Sequence, residues 1–536
     1  MALPQLFACL SHPLKEVEYD KSQEAKKGIS IAVNKDVDII FVIDDSGSMA
    51  EEQALLSENF SAFINVLEAE DVQANYRLAI TTTDAGNPRC QKATTTPPNG
   101  NFELSSCVDR VGQGAFTFEG VDPPLDASYT CLDYCSLTDA ELTIRPTSTE
   151  KDGQDKARPW LQNIEGETNL PDGISTVEAF QCFGPQGVAG CGFESHLESM
   201  YKALSRAETE GEDNYGFLRD QAILSVVFVT DEADCSYNTA HEAVFTTEKA
   251  LWNDPNDPIP TSAVCWRAGV ECDGEICNST NVDIGGNKGV SDADAVLHPL
   301  SRYTDRLQGI EEEKKKLDAG AEVLVAVIGG VPPDYSGDPT EIPYEQSGLD
   351  PDFLTDFGTD PGCESAVGGQ AVPPVRLREF AEAFQVGEDT NLFSICNPDY
   401  SPALKAIADK IRDQIKPACM RDCVADANGT TPYLDASCVL LESNTATGES
   451  NEIPECVKNG GNFEPPDGDS VCFVYLVDPD GAASPDNPDD DMSQECVDEG
   501  WNLEFRLFRT TAAPAGSSVQ AICELSDLKE IDCPNL

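Results

Sequence analysis

The chain of 536 residues carries 96 Asp and Glu against 35 Lys and Arg, a formal net charge of −61. A surface this acidic is repelled by phosphate backbones and by anionic bilayers, which excludes nucleic-acid binding and charge-driven membrane adhesion. The length indicates two to four domains, the 40% of hydrophobic residues suffice for ordinary cores, and no run of about 18 apolar residues predicts a transmembrane helix.

Residues 1–35 are predicted to form a polar leader or linker. Within it, Leu6-Phe7-Ala8-Cys9 loosely resembles a bacterial lipobox, which would make Cys9 a lipidation site; an incidental cysteine is the alternative. The chain has 21 Cys and four His, so setting Cys9 aside leaves enough cysteines for ten bridges. Because so few His argue against zinc cages, the cysteines predict disulfides and an oxidising compartment.

Residues 36–417 are predicted to form one α/β domain, because buried strands alternate with amphipathic helices. This alternation is typical of an open, mostly parallel, doubly wound sheet covered by helices on both faces. The helix after the first strand has a clear apolar stripe at helical spacing, formed by Leu56, Phe60, Phe63, Ile64 and Leu67. The predicted strands are residues 37–43, 76–82, 223–230, 322–328 and 391–396, and the later helices are residues 194–206, 297–317, 375–384 and 402–415.

Three stretches within this domain, near residues 85–190, 235–295 and 331–374, are rich in Cys, Pro, Gly or Asp and are predicted to be long insertions. Insertions in surface loops cost little chain entropy. Residues 418–536 hold eight Cys and short strand-like pieces, which predict a small disulfide-rich β domain. Its acidic segment 478–491 lacks EF-hand spacing and the terminal Glu of a Ca²⁺ loop, so we interpret it as a solvated loop.

The most informative segment is Asp44-Asp45-Ser46-Gly47-Ser48-Met49, which lies directly after a buried strand and before a helix. In open α/β sheets, ligands bind at the carboxyl ends of strands near the point where the strand order reverses. Asp44, Ser46 and Ser48 supply carboxylate and hydroxyl oxygens in one tight turn. Such oxygens suit a hard divalent cation, Mg²⁺ or Ca²⁺.

Here the sequence resembles the von Willebrand factor A domain family, whose metal-ion-dependent adhesion site begins with Asp-x-Ser-x-Ser after the first strand. Asp44, Ser46 and Ser48 match this motif, and Val229-Thr230-Asp231 matches a later Thr-Asp at a strand end. The resemblance implies that Asp231 acts on the metal from behind its bonded ligands or through a water molecule. It also implies the sheet order 3-2-1-4-5-6, with Asp44 and Asp231 on either side of one crevice.

The family's third element is a Thr at the start of a helix, and here Glu194 takes that place, with Ser195 as the fallback ligand. A carboxylate at this position could coordinate the metal itself and fill the site of a partner's acidic residue. Asp45, Asp84 and Asp234 are predicted to add charge to the rim, with capping of helices and turns as the alternative. The segments Phe217-Leu218-Arg219 and Asp231-Glu232-Ala233-Asp234 also resemble secreted A-domain proteins of myxobacteria-like bacteria.

The resemblance implies a non-enzymatic, cation-dependent module that binds a protein or extracellular-matrix ligand. Its implied location is extracellular or on a bacterial surface (the outer membrane or periplasm), with an anchor at Cys9 if the lipobox is real. An acidic side chain or a carbonyl oxygen of the partner would complete the metal's coordination. The alternative is a scaffold or assembly protein whose metal is purely structural because Glu194 closes the shell.

Enzyme classes find little support in the sequence. An aspartate-nucleophile phosphatase needs Asp-x-Asp, and Ser46 stands where the second Asp should be. No phosphate-binding Gly-rich loop follows a strand, no GxSxG is present, and no HExxH is present among His12, His196, His241 and His298. We therefore expect adhesion without catalysis.

Overall fold

The computed structural model describes residues 26–31, 36–69, 72–90, 97–274, 276–316, 322–344, 350–366, 368–387, 389–415, 418–428, 434–444, 450–459, 462–466, 468–479, 490–509 and 517–534. The chain divides into two compact units: Asn34–Lys416, and Pro417–Leu536 together with Met1–Val33. The lipobox prediction at Cys9 lies outside the described residues. No helix in the described part of the chain is both long and apolar enough to span a bilayer.

A seven-stranded sheet forms the centre of the larger unit, in the order β7-β6-β5-β1-β2-β3-β4. The strands β1, β2, β5, β6 and β7 are parallel, while β3 and β4 form an antiparallel hairpin at one edge. Chain order therefore reverses between β1 and β5, which confirms a mostly parallel α/β sheet with a switch point. The bounds are β1 Asp36–Ile43, β2 Asn75–Thr82, β3 Leu161–Ile164, β4 Glu167–Thr168, β5 Ile223–Val229, β6 Val323–Gly329 and β7 Leu392–Ser394.

Helices cover both faces of this sheet. Alternate residues of β1 point to opposite faces, so Phe41 packs with α1, α2, α3 and α7, whereas Ile40 packs with α4, α5 and α6. Burial on both faces explains why β1 is an almost continuous apolar run. The bounds are α1 Ala50–Asn59, α2 Ser61–Leu67, α3 Thr176–Phe183, α4 His196–Glu208, α5 Ser301–Lys315, α6 Val375–Glu382 and α7 Ser401–Gln414.

The first predicted insertion contributes to the core as well as to the surface. It contains β3, β4 and α3, and the ring of Phe180 in α3 stacks on Phe60 with centroids 3.4 Å apart. Strands of four and two residues carry too little periodicity to be recognised from sequence. Elsewhere the insertions form the helices Cys107–Gly112, Tyr129–Leu132, Ala263–Gly269 and Pro351–Phe357, the 3₁₀ turns Thr239–Phe245 and Pro339–Glu341, and the strands Thr117–Phe118, Leu125–Asp126, Val270–Asp273, Ile276–Ser279, Cys363–Glu364 and Gln370–Ala371.

The smaller unit is mainly β-structure, as its sequence predicts. One sheet has the order Lys26–Ile31, Ser517–Glu524, Cys438–Asn444, Ser450–Ile453, and another has the order Ala418–Cys419, Glu504–Arg509, Val471–Leu476. Lys26–Ile31, predicted as leader, is thus an edge strand whose partner lies near the other end of the chain. The remaining elements are the hairpin Val457–Asn459 and Asn462–Glu464 and the helices Gln494–Asp498 and Lys529–Asp532.

Ten disulfides join all twenty described cysteines, which confirms the predicted use of cysteine. A protein with ten bridges folds in an oxidising, extracytoplasmic compartment. Six bridges lie in the larger unit and four in the smaller. They are Cys90–Cys191, Cys107–Cys131, Cys135–Cys182, Cys235–Cys265, Cys272–Cys277, Cys363–Cys396, Cys419–Cys496, Cys423–Cys533, Cys438–Cys523 and Cys456–Cys472.

Candidate metal centre

The turn after β1 gathers three oxygen-bearing side chains. The backbone N–H of Asp44 donates to the carbonyl of Val229 at 3.0 Å, which ties the turn to the end of β5. Oδ1 of Asp44 accepts from the N–H of Ser46 at 2.9 Å, and the hydroxyl oxygens of Ser46 and Ser48 lie 3.4 Å apart. Asp44 and Ser46 are buried, whereas Ser48 is exposed. The turn therefore offers a carboxylate and two hydroxyls, with Ser48 on the side open to solvent.

The end of β5 completes the arrangement through Thr230 and Asp231. The hydroxyl of Thr230 donates to Oδ2 of Asp44 at 2.6 Å and lies 2.7 Å from Nε2 of His196. Because its single proton goes to the carboxylate, it must accept from His196. Asp231 is buried and takes a hydrogen bond from Ser48. The structure thus brings together Asp44, Ser46, Ser48 and Asp231, as the switch-point argument predicts.

Glu194 enters the same cluster from the turn before α4. It is 1% exposed, and its carboxyl group is hydrogen-bonded to that of Glu232. Burial, and then repulsion from Glu232 and Asp44, holds the pKa of Glu194 well above its ordinary value. Burial and the charge of Asp44 raise the pKa of Glu232 to about 8. Two buried carboxyl groups therefore face each other beside Asp44.

Three more acids share Asp44 as a neighbour. Burial, then repulsion from Asp44 and Glu52, raises the pKa of Asp231 well above its ordinary value. Burial, then repulsion from Asp84 and Asp44, does the same for Asp45. Burial is also the main cause that raises the pKa of Glu52 to about 7. In each case burial is the largest cause of the shift, and repulsion from neighbouring carboxylates adds to it.

Several carboxylate oxygens in this cluster lack a hydrogen-bond donor. Among the described residues, the buried atoms without a partner include Oδ1 of Asp45, Oε2 of Glu52, Oε1 of Glu194 and Oδ1 of Asp231. A buried polar atom left unsatisfied is costly, and a buried carboxylate more so. Carboxylate and hydroxyl oxygens are the donors that Mg²⁺ and Ca²⁺ prefer, and unpartnered ones are available here. The residues present therefore fit a hard divalent cation.

Two of the predicted ligand or rim residues serve the scaffold. Oδ1 of Asp234 accepts from the N–H of Leu197 at 3.2 Å, at the start of α4, and Oδ2 accepts from Nε of Arg376 at 2.9 Å. The hydroxyl of Ser195 donates to the carbonyl of Cys235 at 3.0 Å. These contacts favour the capping interpretation of Asp234 and leave Ser195 engaged with backbone.

Asp45, another predicted rim residue, is covered by the backbone at Gly190 and does not lie at an open rim. It is buried, and the N–H of Gly190 donates to its carbonyl at 2.8 Å. A Cβ at Gly190 would come within 2.4 Å of the Asp45 carboxyl group. Only glycine lets the chain pass this close, so Gly190 fixes the position of Asp45.

Glu52, Glu232 and His196 also lie at the site, although none of them is part of the sequence motif. Glu232 directly follows Asp231, and Glu52 lies in the first turn of α1, just after the motif, so their proximity in sequence was an available signal. His196 is fully buried, with Nε2 3.8 Å from Oδ2 of Asp44 and Nδ1 3.8 Å from Oδ1 of Asp234. It hydrogen-bonds Thr230 and lies beside Asp44, so it helps to hold both side chains in place.

Each predicted insertion contributes a contact at the edge of the site. The ring of Phe118 from the first insertion lies against Gly47, where an added Cβ would approach it to 2.4 Å. The hydroxyl of Ser262 from the second donates to the carbonyl of Gly192 at 3.0 Å. The N–H of Val372 from the third donates to the carbonyl of Asp231 at 2.7 Å. The surroundings of the site are therefore built from the insertions.

A separate acidic group lies in the smaller unit. Carboxylate oxygens of Asp478, Asp490 and Asp491 lie within 4.8 Å of one another. Asp478 is fully buried, so the start of the segment predicted to be a solvated loop is not solvated. Residues 480–489, which join the two ends, lie outside the described residues.

The buried acids predict a pH dependence for chelator-treated protein. The pKa of Glu52 is about 7 and that of Glu232 about 8 in the folded state, whereas the ordinary pKa of a glutamate is 4.5. Between these values the folded state keeps protons that the unfolded chain has released. The free energy of unfolding should therefore fall as pH rises from about 5 to about 8. Urea unfolding in EDTA across this range measures it. Glu232→Gln should flatten the slope, and a midpoint that rises with pH would contradict the prediction.

Comparison with known proteins gives no assignment. No protein-family model matches the chain, and no curated protein matches it. Similar solved structures include the pilus adhesin SpaC from Lactobacillus rhamnosus GG in its open conformation (9% identity, TM-score 0.28, 93% of this chain and 40% of that chain). Another is the human COPII-coat protein Sec24c (9% identity, TM-score 0.24, 96% of this chain and 48% of that chain). The chain spans less than half the length of either, and TM-scores this low support no conclusion about function.

Proposed function

We propose that the chain is a divalent-cation-dependent protein-binding module of the von Willebrand factor A type. The observation that carries this proposal is the cluster of buried, partly unpartnered carboxylates at the carboxyl ends of β1 and β5, with the exposed hydroxyl of Ser48 beside it. The strand order supports the family resemblance: with the β4 arm set aside, β3-β2-β1-β5-β6-β7 corresponds to 3-2-1-4-5-6. Both features match what the sequence motif implies.

The proposed cation is Mg²⁺ or Ca²⁺, held by Asp44, Ser46 and Ser48, with Asp231 acting directly or through water. Its charge would offset the repulsion that raises the pKa of the surrounding acids. A carboxylate or carbonyl oxygen of a protein or matrix ligand would reach the cation on the side of Ser48. The module would bind its ligand without catalysing a reaction. It would act at the outer face of a bacterial cell or after secretion.

The test is capture of ligands from an extract of surface and matrix proteins by the immobilised full chain, in Mg²⁺, in Ca²⁺ and in EDTA. We expect ligands enriched with cation and lost in EDTA. Ser48→Ala should reduce capture at least tenfold, because Ser48 is a proposed metal ligand and lies on the exposed side of the site, where a partner would bind. Ser291→Ala, which alters an exposed serine of the second insertion, is the matched control. Capture that ignores EDTA would refute the proposal.

A second candidate is a scaffold in which the cation is purely structural. It is favoured by Glu194, which is 1% exposed and whose unpartnered Oε1 could close the coordination shell from within. Asp44→Ala separates the two. Loss of capture from a folded protein supports the binding module. Cooperative unfolding, with capture retained by whatever fraction stays folded, supports the scaffold.

A further inference from the structure

A disulfide-bonded part of the first insertion, residues 107–135, packs against the start of α1; we name it the rim lobe. Besides the contact of Phe118 with Gly47, the hydroxyl of Thr130 donates to the carbonyl of Ala50 at 3.0 Å. The rim lobe therefore lies directly beside the turn that bears Ser48.

The rim lobe is a rigid platform. The disulfide Cys107–Cys131 joins its two short helices, and Cys135–Cys182 ties it to α3. Between the helices, Thr117–Phe118 pairs with Leu125–Asp126 in a hairpin. A surface held in this way loses little conformational freedom when it binds.

This platform exposes a concentration of apolar side chains. Of the ten large hydrophobic residues exposed in the described part of the chain, five lie in this lobe of 29 residues. Tyr129 and Leu132 are three positions apart on one helix and so share a face. Exposed apolar residues are normally scattered singly over a surface, so five within one disulfide-bonded segment indicate a candidate interaction site. The five are Val108 (38% exposed), Val121 (49%), Leu125 (45%), Tyr129 (41%) and Leu132 (52%).

The charge of the rim lobe indicates what would bind there. Its only basic residue is Arg110, which is buried and donates to the carbonyl of Pro185. A second copy of this chain, with its net charge of −61, would be repelled, as would a nucleic acid or an anionic membrane. The acidic residues that alternate with these apolar residues along the lobe are all exposed, namely Asp109, Glu119, Asp122, Asp126 and Asp133.

We propose that the rim lobe is a docking surface for a segment of another protein in which apolar side chains are flanked by lysines or arginines. Burial of the apolar residues would supply the affinity, and the carboxylates would supply steering and selection. This inference goes beyond the cation-dependent function, because the contact needs no metal. It is therefore tested in EDTA, where a failure says nothing about the metal centre.

The probe is a fluorescein-labelled 16-residue peptide of alternating leucine and lysine pairs, measured by fluorescence anisotropy with the full chain. A serine–lysine peptide of equal charge measures attraction by charge alone, and an uncharged leucine–serine peptide measures apolar attraction alone. We expect the leucine–lysine peptide to bind at least tenfold more tightly than either. The combined variant Leu125→Ser, Tyr129→Ser, Leu132→Ser should lose that tenfold advantage.

The matched control is Ile259→Ser, which removes an apolar side chain that is 60% exposed in the second insertion and should leave binding unchanged. Because all substituted side chains are exposed, the variants should keep the wild-type melting temperature. Hydrogen exchange should slow at residues 117–133 when the leucine–lysine peptide binds. Equal affinity of the leucine–lysine and serine–lysine peptides, or full binding by the triple variant, would overturn the proposal.

Discussion

Asp44→Asn is expected to abolish the thermal stabilisation that Mg²⁺ or Ca²⁺ gives the wild-type chain. A ligand present at 100 times its Kd stabilises the folded state by about 2.7 kcal/mol, and loss of the central carboxylate removes that gain. In EDTA two effects of the substitution oppose each other: repulsion on Asp231 and Glu194 is relieved, while the Thr230 hydroxyl loses its carboxylate acceptor. Scanning calorimetry with and without cation measures the stabilisation that the cation gives each protein.

The response to cation is the diagnostic feature of this prediction. The melting temperature of wild type should rise when EDTA is replaced by millimolar cation, and that of Asp44→Asn should not. Asp38→Asn, on the same strand β1, serves as the control, because it should lower stability equally in both conditions. If Asp44→Asn responded to cations as wild type does, Asp44 would not be a ligand.

Asp38→Ala is expected to destabilise the larger unit by about 2–3 kcal/mol, because it removes a buried carboxylate that accepts two hydrogen bonds from Arg219. Asp38 is fully buried at the opposite end of β1 from the metal centre. Its Oδ1 accepts from Nε of Arg219 at 2.9 Å, and its Oδ2 accepts from the N–H of Arg219 at 2.7 Å. The guanidinium also donates to the carbonyls of Val37 and Asn75, which joins β1 to β2. Removal of the carboxylate takes away both hydrogen bonds to Asp38 and leaves the guanidinium with Asp36, at 3.0 Å, as its remaining ion-pair partner.

Urea unfolding followed by circular dichroism measures the loss. The matched control is Asp172→Ala, because Asp172 pairs with Arg145 at 2.6 Å but its side chain is 97% exposed. Exposed ion pairs contribute little, so this variant should unfold at the wild-type midpoint. A shift of similar size in both variants would contradict the assignment of Asp38 and Arg219 as a buried structural pair.

The long elements of the fold are predictable because their patterns are local. The strand β1 is apolar at nearly every position since both of its faces are buried, and α7 carries a regular apolar stripe. The hairpin β3–β4 and the strand Lys26–Ile31 are short and owe their existence to partners far along the chain. Helix α3 was missed inside a cysteine-rich segment, although Phe180 completes the aromatic core around Phe41.

The residues of the site also differ in how far the sequence predicts them. Asp44, Ser46 and Ser48 follow from one contiguous motif, and Asp231 follows from its position at a second strand end. Sequence alone does not reveal that the charge of Asp44 raises the pKa of both Glu52 and Glu232, because that depends on how α1 and β5 pack together. Nor does it distinguish a ligand from a capping acid. Asp234 looked like a rim residue and instead holds the start of α4 through the N–H of Leu197.

The most direct measurement is anomalous diffraction from crystals of the full chain soaked in millimolar Mn²⁺, which substitutes for Mg²⁺ at oxygen sites. The account predicts one strong peak bounded by the side chains of Asp44, Ser46 and Ser48, with Asp231 close by, and its loss in Asp44→Asn. Density that shows no peak there, or a peak confined to Asp478, Asp490 and Asp491, would contradict it.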